Sequence, residues 1–241
     1  MTFFLYHDQK RIFRILSFIF TGLNGLAGLL GIYFAIIGDI FWPLRLIIIG
    51  AGFDFLDGFF ARKTEQHSNI GVYMDSFADA ITYILVPSFI LIFIKQNGQL
   101  EFIIPIALVY IVCGCYRLIR FVRHQTGVYF EGLPASIAAL IIGSLNVLIS
   151  ASPPELTFLL NKGIHIGFIV ICISLLMITH LKYPSHVSYS TFYKIFRGIG
   201  YITILMFVFL SNFWTGLGVF LFFLFYTLAG PYYMRTMKLN L

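Results

Sequence analysis

Residues 53–79 read FDFLDGFFARKTEQHSNIGVYMDSFAD and carry four aspartates, Asp54, Asp57, Asp75 and Asp79, between long runs of Phe, Ile and Leu. An ionisable side chain inside hydrocarbon costs at least about 2.5 kcal/mol even on the most forgiving insertion scale. Four in one neighbourhood therefore need something to compensate their charge. A helix turns by about 100° per residue, which puts Asp54 and Asp57 roughly 60° apart and Asp75 and Asp79 roughly 40° apart. Two helices joined by a short turn can then point two carboxylate pairs at each other. Hard oxygen donors gathered this way suit Mg²⁺ or Mn²⁺, and four carboxylates are enough for two such ions. Gly58, Ala61 and Gly71 fall near the same faces and leave room for a bulky anion. Arg62 follows, with a planar fork able to grip a phosphate oxygen.

The surroundings of this stretch set the fold class. The chain has 241 residues, 59% hydrophobic and 11% charged, with a mean hydropathy of +0.91. Soluble domains carry about 25% charged residues. The expectation is all-α: a polytopic membrane helical bundle with no separate soluble domain. Eight apolar stretches, at roughly 17–38, 42–61, 70–95, 101–122, 134–151, 163–181, 198–212 and 214–232, each approach the ~20 residues that cross a bilayer. Ahead of them, residues 1–16 mix Lys10, Arg11 and Arg14 with Phe13 and Ile15, as expected of an amphipathic helix lying in the membrane interface. No small-residue cleavage site follows, so this segment is expected to be retained. The domain reading is an N-terminal segment, 1–16, and one integral membrane domain, 17–241.

The net charge of +6 does not point to nucleic acid, because the basic residues sit at helix ends and form no patch. Alternating sides along the eight stretches puts thirteen of the sixteen Lys and Arg on one face and leaves Arg45, Lys95 and Lys162 on the other. The positive-inside rule then assigns both termini and the aspartate cluster to the cytoplasmic side of the inner membrane. Cys113, Cys115 and Cys172 lie in apolar stretches without CxxC spacing, which argues against a disulfide framework or a zinc site. The six histidines form no HxxxH or HExxH pair.

The pattern D-x(2)-D-G-x(2)-A-R-x(8)-G-x(3)-D-x(3)-D is matched without a gap by Asp54, Asp57, Gly58, Ala61, Arg62, Gly71, Asp75 and Asp79. It resembles the signature of the CDP-alcohol phosphotransferases, integral membrane enzymes of phospholipid synthesis. The resemblance implies a CDP-linked lipid substrate, usually CDP-diacylglycerol, an alcohol acceptor that attacks the lipid-side phosphorus, and CMP as leaving group. It implies that Gly58, Ala61, Arg62 and Gly71 cradle the CDP portion and that the protein is a homodimer among membrane lipids. Asp79, one turn deeper than Asp75, is the expected general base and is counted with Asp54, Asp57 and Asp75 among the expected metal ligands. In this family a Thr or Asn in the first helix often helps hold the CDP group. Thr21 and Asn24 stand there within FTGLNGLAGLLG and share a face; the competing reading is helix packing.

The segment GCYRLIRFVRHQTGVYFEGLPASIAAL, residues 114–140, is similar to the corresponding stretch of phosphatidylserine synthases, which carry an R-L-x-R-F run followed by G-L-P. Here these are Arg117, Leu118, Arg120 and Phe121, then Gly132, Leu133 and Pro134; Val122 and Ser136 depart from the pattern. The later run LKYPSHVSYS also resembles a polar loop of those synthases. Serine is therefore the favoured acceptor, with Arg117 and Arg120 expected to bind its carboxylate or the lipid phosphate. The competing reading of both arginines is snorkelling to the interface. Choline, an inositol phosphate or glycerol 3-phosphate are the alternative acceptors. From another class, the carboxylates suit a cation pathway in a transporter, although a pore gives no reason for the Gly, Ala and Arg spacing.

Overall fold

A computed structural model describes residues 2–63, 69–93, 100–123, 129–153, 163–184 and 191–238. Loop residues 64–68 and 185–190 lie outside the described residues, as do Lys95, Lys162 and the side chains of residues 1–10. Each of the eight apolar stretches is helical along most of its described length. In chain order the elements are α1 (Thr2–Ile36), α2 (Trp42–Lys63), α3 (Asn69–Asp79), a π-helical segment (Ala80–Leu85), α4 (Val86–Phe93), α5 (Leu100–Arg123), β1 (Tyr129–Glu131), α6 (Ala135–Ser150), α7 (Gly163–Ile178), β2 (Lys182–Pro184), α8 (Thr191–Leu210) and α9 (Phe213–Lys238). Among the described residues, four spans are long and apolar enough to cross a membrane: Arg11–Ile36, Ile70–Phe93, Ile103–Arg123 and Phe213–Thr236. Ala135–Ser150, Ile166–Ile178 and Arg197–Leu210 are shorter apolar helices.

Two features differ from the sequence reading. The N-terminal segment and the first apolar stretch form one continuous helix, with no break near residue 16. Nothing in the sequence between them, neither Pro nor Gly, interrupts the hydrogen-bond ladder. The chain also forms a two-stranded antiparallel sheet, pairing Tyr129 with Pro184, Phe130 with Tyr183 and Glu131 with Lys182. It closes the loops after α5 and α7 and docks on α9. There Tyr183 stacks on Tyr226 at 5.9 Å, and the Tyr226 hydroxyl donates to the Pro184 carbonyl at 2.9 Å.

The centre of the bundle is α6, a helix apolar on all sides and buried along almost its whole length. Such a helix is stable only when surrounded. Its polar groups are paired internally: the Ser144 hydroxyl donates to the Leu140 carbonyl at 2.7 Å, and Asn146 Nδ2 donates to the Ile40 carbonyl at 3.2 Å. By contrast, Ile19, Leu26, Val112, Ile119, Leu205 and Phe209 face outward. An apolar exterior of this extent fits a lipid solvent.

α1 and α2 run antiparallel through a tight turn. Gly38 takes φ +76°, and Asp39 caps α2 by accepting from the Phe41 and Trp42 amides at 2.9 and 2.8 Å. Further along, Phe20 stacks on Phe60 with centroids 5.6 Å apart. α1 also crosses the α3–α4 rod closely, through glycines three residues apart. A Cβ would meet Ala78 at 3.6 Å from Gly25, the Thr82 hydroxyl at 2.6 Å from Gly28 and Val86 at 3.0 Å from Gly31. Near the C-terminus, only Ser211 and Asn212 separate α8 from α9, and Asn212 and Thr215 cap the second helix reciprocally.

Gly132 provides a test of the strand junction. It takes φ +72°, and a Cβ there would stand 2.4 Å from the Met177 carbonyl oxygen. Gly38 has a similar φ but open space around it. Gly132→Ala is expected to lower the thermal unfolding temperature clearly more than Gly38→Ala, since backbone strain of about 1–3 kcal/mol is common to both and the clash is not.

Candidate active site

α2 brings Asp54 and Asp57 to one face near its C-terminal end, and α3 presents Asp75 and Asp79 across from them. Carboxylate oxygens of Asp54, Asp57 and Asp75 all lie within 4.8 Å of one another. At a partly buried site, unit charges about 4 Å apart repel by about 4 kcal/mol. The surrounding helices supply neutral donors to these aspartates. The Thr21 hydroxyl donates to Asp57 Oδ2 at 2.9 Å, Asn24 Nδ2 to Asp79 Oδ1 at 3.1 Å, and the Tyr83 hydroxyl to Asp54 Oδ2 at 3.1 Å. Asp75 Oδ1 is buried and has no hydrogen-bond partner. Three clustered carboxylates, one with a buried orphan oxygen, fit a hard divalent cation such as Mg²⁺ or Mn²⁺.

Thr21 and Asn24 thus lie at the site, both buried, and each binds an aspartate. Asn24 Oδ1 is itself buried without a partner. It packs where only glycine fits on α2: a Cβ on Gly50 would come within 2.8 Å of it. Gly58 serves a different end. Among the described residues a Cβ there would meet only Arg62 Nη1, at ordinary van der Waals distance, 3.7 Å. Gly22 and Gly52 have no described atom beyond their own helix backbone and chain neighbours within 4 Å of such an atom. The protein's own packing leaves Gly58 room to spare, which fits a shelf for a ligand beside Arg62. Arg62 is exposed at the end of α2, while Ala61 and Gly71 are half-buried near it in sequence and on α3.

The two arginines of α5 are both buried but have different partners. The Arg120 guanidinium is spent on backbone: Nη1 donates to the Ile178 carbonyl at 2.7 Å, and Nη2 to the carbonyls of Glu131 at 2.6 Å and of Met177 and Thr179 at 3.2 Å. It ties α5 to the C-terminal end of α7 and to β1, where helix carbonyls lack partners and favour a cation. Gly132, adjoining Glu131, would place a Cβ 2.6 Å from Arg120 Nη2. Arg117, one turn earlier, is 7% exposed and rests over the Phe121 ring at 5.3 Å. Its Nε is buried without a partner, and its charge acts on Asp79 and Asp54.

Tyr83, Thr82 and Tyr110 were missed in the sequence. The Thr82 hydroxyl donates to the Asn24 carbonyl at 2.9 Å, and the Tyr110 hydroxyl to the Tyr83 carbonyl at 2.8 Å. A faint signal existed: Tyr83 continues the four-residue spacing of Asp75 and Asp79.

Fold and site together define a helical enzyme with membrane-length apolar helices and a carboxylate centre suited to a divalent cation. The chain belongs to the CDP-alcohol phosphatidyltransferase family, whose model matches residues 14–179, and it is a transferase. It is 33% identical over 178 residues to the CDP-diacylglycerol–serine O-phosphatidyltransferase of Methanocaldococcus jannaschii, covering 73% of this chain and 77% of that one. It is 33% identical over 182 residues to the archaetidylserine synthase of Methanothermobacter thermautotrophicus, covering 73% of each. A more distant relative, the CDP-diacylglycerol–glycerol-3-phosphate 3-phosphatidyltransferase of Aquifex aeolicus, is 30% identical over 48% of this chain and 68% of its own length.

The contrast between the arginines is measurable. Arg120→Met strips charged donors from several buried carbonyls and should cost at least about 1.5–3 kcal/mol, lowering the unfolding temperature. Arg117→Met should leave that temperature close to wild type.

Proposed function

We propose that the protein transfers a phosphatidyl group from CDP-diacylglycerol to the hydroxyl of L-serine and releases CMP. The observation that carries this reading is the carboxylate cluster, with the buried charge of Arg117 acting on Asp79 and Asp54. Support for serine comes from the relatives named for serine transfer, together with the R-L-x-R-F and G-L-P elements.

In this reading Asp54, Asp57, Asp75 and Asp79 hold Mg²⁺ or Mn²⁺, two ions in all. When bound, the ions would neutralise the diphosphate and the charge that builds on the departing CMP oxygen. Gly58, Ala61, Arg62 and Gly71 receive the cytidine diphosphate, with Thr21 and Asn24 lining its approach. Asp79 takes the proton from the serine hydroxyl on the oxygen that Asn24 leaves free. The serine oxygen bonds to the lipid-side phosphorus as the bond from that phosphorus to the CMP oxygen breaks. Arg117 pairs with the serine carboxylate or the lipid phosphate through its unused Nε–H. Arg120 contributes by fixing the backbone around that position.

The same reading makes residues 17–241 one integral membrane domain of eight helices in the inner membrane. The N-terminal part of α1 lies at the interface, both termini and the site are on the cytoplasmic side, and the protein works as a homodimer. Glycerol 3-phosphate is the second acceptor, favoured by the relative from Aquifex aeolicus.

The test is CMP release by the purified protein with CDP-diacylglycerol, Mn²⁺ or Mg²⁺, and one acceptor at a time. Release is expected with serine and is expected to stop on chelation. Release with glycerol 3-phosphate and not serine would establish the second reading. Asp79→Asn should reduce turnover by about 10²–10⁴-fold while binding of the CDP-lipid survives; wild-type turnover in that variant would remove Asp79 from the role of base.

A further inference from the structure

The π-helical segment directly after Asp79 has a cause in the sequence. Pro87 lacks an N–H, and inside an α-helix its ring would press on the carbonyl four residues earlier, which is that of Tyr83. The chain instead widens: the Val86 amide bonds to the Ile81 carbonyl, five residues back. The Tyr83 carbonyl accepts the Tyr110 hydroxyl from α5 at 2.8 Å, so the group displaced by Pro87 is satisfied across the bundle. Thr82 is anchored on the other side, to the Asn24 carbonyl of α1.

This widening decides where Tyr83 points. Each four-residue step along an α-helix advances about 40°, so two steps would carry Tyr83 roughly 80° away from Asp75. A π turn takes more residues per revolution and cancels much of the second advance. Tyr83 accordingly stays on the carboxylate face, 1% exposed, with its hydroxyl on Asp54 Oδ2 at 3.1 Å. Asp54 sits on α2, whereas the rigid holder of Tyr83 is the α3–α4 rod pinned to α1 and α5. The hydroxyl therefore couples a carboxylate on one helix to a frame built from three others.

We propose that Tyr83 is a positioning residue for the divalent-cation site, holding Asp54 by one oxygen so that the other is presented to the ion, and that the Pro87-imposed π turn is the device that aims it. This rests on the reading of Asp54 as a metal ligand. Donors that orient metal-binding carboxylates typically change metal affinity by about 10–100-fold when removed.

The test is Mn²⁺ binding by the purified full-length protein, followed by the electron paramagnetic resonance signal of free Mn²⁺, with no lipid substrate present. Tyr83→Phe, which keeps the ring, is expected to weaken Mn²⁺ binding at least about tenfold. In an Asp54→Asn background it should cause no further loss. Pro87→Ala retains the hydroxyl but lets the rod return to α geometry; it is expected to weaken Mn²⁺ binding several-fold without lowering the unfolding temperature. Unchanged Mn²⁺ affinity in either single variant, or an undiminished effect of Tyr83→Phe on top of Asp54→Asn, overturns the proposal while leaving the metal reading intact. Failure of the wild-type protein to bind Mn²⁺ would overturn both.

Discussion

The structure is governed by one electrostatic constraint: carboxylates from two apolar helices are held within a few ångströms of one another. Bringing like charges together in a partly buried place is costly, and the helices around the cluster are arranged against that cost. α1 supplies Thr21 and Asn24, the π segment supplies Tyr83, and α5 brings the charge of Arg117. None of the neutral donors removes charge, so the arrangement is complete only with cations. That is the physical sense in which the site asks for divalent metal.

Close approach of the helices is the means. Short polar side chains reach the aspartates only if backbones come near, and glycine permits this at selected heights. Gly28 leaves room for the Thr82 hydroxyl, and Gly50 for Asn24 and Thr82. The glycine-rich face of α1 thus packs the helices closely and brings Thr21 and Asn24 to the aspartates. At Gly22 and Gly52, by contrast, no described atom outside the helix lies within 4 Å of where a Cβ would stand, and at Gly58 Arg62 Nη1 stands at 3.7 Å.

The arginine pair of α5 shows how one sequence motif divides into two physical tasks. Two buried guanidiniums one turn apart repel each other. Arg120 keeps its charge but spends its N–H groups on helix-end carbonyls and becomes a tie between α5, α7 and β1. Gly132 belongs to the same knot, since its positive φ and lack of Cβ let the chain pass between Arg120 and the end of α7. Arg117 keeps a buried N–H to offer, beside the carboxylates. Equal spacing and equal chemistry in the sequence gave no hint of which would be which.

Much of the protein was readable from the chain alone. Four aspartates at helical spacing announced a carboxylate cluster, because a helix fixes azimuth by residue count, and Asp54, Asp57 and Asp75 do come together. The apolar stretches marked helices, as far as their described residues go, because lipid-length apolar runs have few other folded forms. What the sequence did not reveal depends on contacts between distant residues. The pairing of β1 with β2 joins loops far apart in the chain, and its strands are too short to show alternation. The bond from Tyr110 to the Tyr83 carbonyl, and that from Tyr83 to Asp54, depend on how three helices cross. Pro87 disturbs the helix, but only the packing around it decided that the chain would widen into a π turn rather than kink, because a partner hydroxyl was in place to receive the freed carbonyl.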